Sequence, residues 1–131
     1  METLSGECTY TSWDETTYAE RPGELKLTRA AVTQNVLGDL TGSAEVAWLM
    51  SYQQDGTARF VGLQLLEGSI DGRKGSAVLE TVGEFDGREA TWTGSVIEGS
   101  GTGDWTGLRG EGRFRAPHGP TATFTLEYSF D

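Results

Sequence analysis

Thr121-Ala122-Thr123-Phe124-Thr125-Leu126-Glu127-Tyr128-Ser129-Phe130 is the stretch on which the fold turns. Ala122, Phe124, Leu126, Tyr128 and Phe130 fall on one side of an extended chain, and Thr121, Thr123, Thr125, Glu127 and Ser129 on the other. Successive side chains of a strand point to opposite faces, so a period of two marks a strand with one face buried and one in water. The pattern recurs upstream. Val46, Trp48, Met50 and Tyr52 share a face, and Gly110, Gly112, Phe114 and Ala116 alternate with Arg109, Glu111, Arg113 and Arg115. Residues 43–54 also admit a helix, with Ser43 as N-cap and Val46, Leu49 and Met50 on one stripe. Period two accounts for more of these positions, and a turn at Asp55-Gly56 follows directly.

That turn is one of three Asp-Gly dipeptides, at Asp55-Gly56, Asp71-Gly72 and Asp86-Gly87. Both residues tolerate positive φ, as a type I′ hairpin turn demands, so tight hairpins are predicted at all three. Gly38-Asp39 and His118-Gly119 read as further turns. The segments between are 4–14, 25–37, 40–53, 58–69, 74–85, 88–98, 108–116 and 121–130. Eight such strands joined by hairpins, with no helix, predict an all-β protein: an eight-stranded antiparallel up-and-down barrel forming one domain over residues 1–131. Closure also removes the sheet edges that invite aggregation. Glycine, 19 of 131 residues, is roughly twice its average usage of about 7% and suits turns and strand bends rather than helix interiors.

Ten Lys+Arg stand against 20 Asp+Glu, a net charge of −10, which argues against nucleic acid and anionic membrane surfaces as partners. The longest apolar run, Val46–Met50, is far short of the roughly 20 residues of a membrane-spanning helix. A single cysteine, Cys8, offers no disulfide framework and favours a reducing compartment, and the N-terminal residues show no signal peptide, so a cytoplasmic location is expected.

The stretch GlySerGlyThrGlyAspTrpThrGlyLeuArgGlyGluGly (99–112) resembles the glycine-rich strand–turn–strand of the allene-oxide-cyclase and dirigent barrels. SerTrpAspGlu (12–15), LeuThrArgAla (27–30), AspGlyThrAlaArgPheValGly (55–62) and ThrLeuGluTyrSerPhe (125–130) are similar to a family of small bacterial proteins of unknown function with that barrel. The resemblance implies an eight-stranded barrel with an enclosed cavity, often assembled as an oligomer, and implies no activity. Where members of that family often carry a Gln-His pair, this chain has Glu80-Thr81, so no role for that histidine carries over.

If the apolar face of 121–130 points inward, the lining includes Trp48, Met50, Tyr52, Trp92, Phe114, Phe124 and Tyr128, joined by Tyr10 and Cys8. This lining either shapes a cavity for a hydrophobic or aromatic small molecule or fills the barrel as a plain aromatic core. Glu80, between Val78 and Val82, is the acid of most interest. On an inward face it would be desolvated, its pKa raised, and fit for general acid–base work. If Ala77, Leu79 and Phe85 mark the inner face instead, Glu80 stands outside. Glu67 follows Val61, Leu63 and Leu65 in the same way but lies by the Asp71-Gly72 turn, and Gln64 on the opposite face could orient a polar ligand group.

In the 58–70 strand, Phe60, Val61, Leu63, Leu65 and Leu66 make both faces apolar, which predicts either a homo-oligomer interface or a wall covered by the chain's own N-terminal segment. Arg109, Arg113 and Arg115 with Glu111 read as a solvated outer face or an intersubunit salt-bridge patch. Gly99-Ser100-Gly101-Thr102-Gly103 lacks the helix that phosphate-cradling loops require, and His118, in a turn, belongs to no metal-ligand cluster, so neither cofactor nor metal is expected. Two functions remain. One is a cofactor-free cyclase, isomerase or lyase acting on a hydrophobic small molecule, with Glu80 or Glu67 moving protons and Tyr10, Tyr52 or Tyr128 stabilising charge. The other is a non-catalytic binding or carrier barrel with the same lining.

Overall fold

The computed structural model describes residues 2–23, 25–117 and 121–130. Its strands are β1 (Glu2–Arg21), β2 (Leu25–Gly38), β3 (Leu40–Tyr52), β4 (Ala58–Ile70), β5 (Arg73–Phe85), β6 (Ala90–Val96), the two-residue β7 (Thr102–Gly103), β8 (Leu108–Ala116) and β9 (Thr121–Phe130). Each long strand pairs antiparallel with the next, β6 passes to β8, β9 pairs with β1, and the ring closes as an eight-stranded up-and-down barrel with β7 attached to β5. Among the described residues no helix is long and apolar enough to cross a membrane.

Alternation places the faces. In β3, Val46, Trp48 and Met50 are buried, and in β9, Ala122, Phe124, Leu126 and Tyr128. The turns are less uniform than the three Asp-Gly pairs predict. Only Asp71 (φ 49°) and Gly72 (φ 81°) both take positive φ, joining β4 to β5 as a type I′ turn. At the other two, the aspartate side chain captures downstream groups instead. Asp55 Oδ1 accepts from the Thr57 amide (3.0 Å) and hydroxyl (2.7 Å), and Asp86 Oδ1 from the Arg88 (2.8 Å) and Glu89 (2.9 Å) amides. These local bonds build longer loops in which Gly56 and Gly87 alone turn left-handed. The His118-Gly119 turn lies outside the described residues.

The first strand runs longer than residues 4–14 and carries two bulges. Tyr10 pairs with Gln34 but Ser12 with Thr33, and Thr17 pairs with Thr28 but Ala19 with Leu27. An extra residue reverses which positions face inward. Cys8 and Tyr10 face the core before the first bulge, and Trp13 and Glu15 take that side after it, opposite Val32 and Ala30. Pairing with β9 ends at Thr9, so the second half of β1 keeps backbone pairing with β2 alone among the described residues.

Aromatic rings fill the barrel. Trp48 lies 5.2 Å from Phe60 and 5.4 Å from Trp92, Trp92 stacks on Phe114 at 5.2 Å, and Phe114 meets Phe124 at 5.6 Å. Such pairs add to the hydrophobic gain of burying the rings. Gly62 makes room for this packing, since a Cβ there would press on the Ala47 carbonyl and Trp48 Cδ1. Trp105, from the connection between β6 and β8, is fully buried over Gly75 and donates Nε1–H to the Arg73 carbonyl at 2.9 Å. The 99–103 stretch therefore leads into a core tryptophan rather than a helix.

Candidate functional site

The inner lining is where the sequence places it. Trp48, Met50, Trp92, Phe114, Phe124, Tyr128 and Gln64 are buried, and Tyr10 and Tyr52 are half-buried. These side chains occupy the interior themselves. The enclosed void among Cys8, Val36, Leu40, Leu66, Leu79, Phe114, Phe124 and Leu126 is about 10 Å³. That is the scale of one water, and a hydrophobic small molecule needs far more room. Of the two readings of the lining, the packed geometry is that of the aromatic core.

Of the two orientations open to Glu80, the structure takes the outward one, and neither Glu80 nor Glu67 reaches the interior as a catalytic role inside the barrel requires. Ala77, Leu79 and Thr81 are the buried positions of β5, so Glu80 projects outward, opposite Leu63 on one side and Ser95 on the other. Glu67 is also exposed, next to the Asp71-Gly72 turn. The flanking Val78 and Val82 suggest an inner face for Glu80, but Val82 is itself 60% exposed: these valines belong to an apolar outer wall. Among the described residues the buried polar side chains are Thr28, Gln34, Gln64 and Thr81, none of them ionisable in the range where enzymes move protons. No three His, Cys, Asp or Glu side chains among them converge as a metal site requires. Burial pushes the Tyr10 hydroxyl up to about 12 and the Cys8 thiol likewise to about 12, which leaves both protonated near neutrality.

One carboxylate does reach the inner side of the sheet, and sequence reading passed over it. Glu15 Oε2 accepts hydrogen bonds from Thr28 Oγ1 and Tyr52 OH, both 2.7 Å, and Oε1 accepts from Trp13 Nε1 at 2.9 Å. Partial burial pushes this carboxyl up, but the bonds from Tyr52, Thr28 and Trp13 and the charge of Lys26 outweigh it and hold it below its ordinary value. Burial and the Glu15 carboxylate in turn push Tyr52 up to about 12. Trp13 lies against Tyr10 (5.6 Å) and Trp48 (5.7 Å), so the cluster clasps the second half of β1 to β3. The signal was the SerTrpAspGlu stretch at 12–15, whose inward residues change parity at a bulge that alternation cannot foresee.

The outer wall of β3, β4 and β5 carries the other distinctive surface. Leu49 (45% exposed), Val61 (48%), Leu63 (53%) and Val82 (60%) are four of the seven exposed large hydrophobic residues among those described. Leu49, Val61 and Val82 form one cross-strand row, and Ala47, Leu63 and Glu80 the next. A shallow trough of about 620 Å³ runs over them, with Arg29 on the β2 flank and Glu80 on the β5 flank. The N-terminal segment does not cover it, because β1 is paired with β2 and β9. On β8, Arg109 pairs with Glu98 (2.9 Å) and Arg115 with Glu89 (2.7 Å), both at the solvent-exposed surface.

Comparison with known proteins adds a family but no activity. A crystal structure of a protein of unknown function from Shewanella oneidensis MR-1, described as a DUF3224 family member, superposes with a TM-score of 0.80 at 24% identity, covering 100% of this chain and 98% of that one. At that identity the likeness carries the fold alone. A search of curated proteins gives no match. The model of the family described as "Protein of unknown function (DUF3224)" matches residues 4–128, nearly the whole barrel, and the chain therefore belongs to the DUF3224 family.

Proposed function

We propose that this protein is a non-catalytic binding barrel that works through the outer wall of β3–β5, and that this wall docks a second copy of the chain. The observation that carries the reading is the row Leu49–Val61–Val82 beside Leu63, branched apolar side chains about half exposed on a wall that needs only polar residues to face water. The flanks favour a copy of the same surface. Arg29 stands on one side of the apolar rows and Glu80 with Glu84 on the other. A two-fold axis running along β4 lays each positive flank over the partner's negative one. The solvated positions of Glu80 and Glu67 and the filled interior count against a cyclase or isomerase inside the barrel. The likeness of residues 99–112 to allene-oxide-cyclase barrels supplies no acid in their place. The lone buried Cys8 thiol fits a reducing, cytoplasmic setting.

A second reading keeps the same wall and changes the occupant. The trough volume, about 620 Å³, lies within the range of small-molecule sites, so a hydrophobic or aromatic small molecule could be carried there. A charge-swap cycle separates the two. In the paired-copy reading Arg29→Glu and Glu80→Arg each weaken self-association, and the double swap restores it. Additive losses in the double swap would reject the crosswise arrangement. A monomer whose binding of an apolar fluorescent dye is abolished by Leu63→Lys would favour the small-molecule reading.

A further inference from the structure

Charges beside the apolar wall are used differently from those farther round the barrel. On β8, Arg109 and Arg115 hold Glu98 and Glu89 in ion pairs within the chain. Arg59 on β4 and Glu84 on β5 are both exposed and stand directly opposite each other across the two strands. Among the described residues neither is engaged in an ion pair. On its other side Arg59 has the half-buried Ser51 of β3 as cross-strand partner. Ser51, Arg59 and Glu84 therefore form one row of hydroxyl, cation and carboxylate. Each lies two residues along its strand from Leu49, Val61 and Val82, so the polar row runs beside the apolar one on the same outward face.

The order of this row makes it complementary to itself. A two-fold axis along β4 lays β4 over the partner's β4 and β3 over the partner's β5. Ser51 then lies over the partner's Glu84. Neighbouring strands are about 4.8 Å apart, within the reach of an arginine side chain, so Arg59 meets the partner's Glu84 as well. The same axis brings Arg59 toward its own counterpart, and two cations there would repel. The two glutamates, one on each side of the axis, turn that repulsion into a ring of alternating charge. Hydrophobic attraction is non-directional, so the apolar row alone would accept several alignments of the two walls.

We infer that Arg59 and Glu84, with Ser51, set the register in which two copies of the chain pair: each Glu84 carboxylate accepts from the Arg59 guanidinium and the Ser51 hydroxyl of the other copy. The inference rests on the paired-copy reading of the outer wall and adds to it the groups that select one alignment and reject the rest.

A complementation experiment on the full chain tests it. Arg59→Glu and Glu84→Arg each place like charges across the axis, and each should weaken self-association by roughly tenfold. In an equimolar mixture the introduced carboxylate of one variant meets the introduced guanidinium of the other, while the native Glu84 of the first meets the native Arg59 of the second. Native mass spectrometry, which separates the three pairs by mass, should find the mixed dimer well beyond its statistical half. Circular dichroism checks that each variant is folded. If a charge reversal disturbs folding, Arg59→Ala and Glu84→Ala take its place, and their effects on the association constant should be non-additive in the double variant. A wild-type dimer with variants that associate as tightly, variants that weaken without preferring each other, or additive truncations would overturn the register and leave the outer-wall reading in place. A wild-type chain that stays single at every concentration would remove both.

Discussion

Leu63 and Glu80 face each other across β4 and β5 on the outside of the barrel, both in solvent. The pair shows how the wall is organised: its apolar residues and its nearest acid share one surface, and the sheet separates that acid from the core. Inside, the matching positions one residue along are Gln64 and Leu79, both fully buried.

Thr81→Val should cost roughly 1–3 kcal/mol, because it removes the acceptor of the Trp48 indole N–H and leaves that donor unpaired in the core. Equilibrium denaturation of the variant measures it. Glu80→Gln, one residue away and in solvent, should change stability by no more than about 0.5 kcal/mol.

The Glu15 clasp predicts an acid limb of stability. A carboxyl held below its ordinary 4.5 contributes stability that is complete above that pH and is lost as pH falls through the lower, folded value. The thermal midpoint of wild type should therefore drop toward that of Glu15→Gln as pH falls below 4.5. Tyr52→Phe, which deletes one bond to this partly exposed carboxylate, should cost about 1 kcal/mol at neutral pH and raise the Glu15 titration. A midpoint difference between wild type and Glu15→Gln that is constant from neutral to acid pH would contradict the assignment.

Cys8 is 1% exposed and its thiol is pushed by burial up to about 12, so it should resist thiol reagents in the native state. At pH 8 a disulfide reagent should label it only at the rate of opening, with full, fast labelling on adding denaturant. Fast labelling without denaturant would place the thiol at the surface.

The barrel was legible in the sequence because its inner and outer faces alternate cleanly in β3, β8 and β9, and each such strand declares its own orientation. β5 declares less. Val78 and Val82 on one face compete with Ala77 and Leu79 on the other, so hydrophobicity alone leaves the side of Glu80 open when the outer wall is itself apolar. The Glu15 clasp was illegible for a different reason: one extra residue at Thr11 reverses the parity of the rest of β1, and a bulge leaves no mark in a period of two. Whether aromatic lining encloses a cavity or fills it depends on side-chain directions such as the Trp92–Phe114 stack, which spacing does not encode.

Size-exclusion chromatography with light scattering, run on wild type and Leu63→Lys across a micromolar dilution series, tests the outer-wall account most directly. The wild type should scatter as twice the 14.1 kDa chain mass, and Leu63→Lys as a single chain with an unchanged circular dichroism spectrum. A wild-type species of 14.1 kDa at every concentration, or a dimer that Leu63→Lys leaves intact, would contradict it.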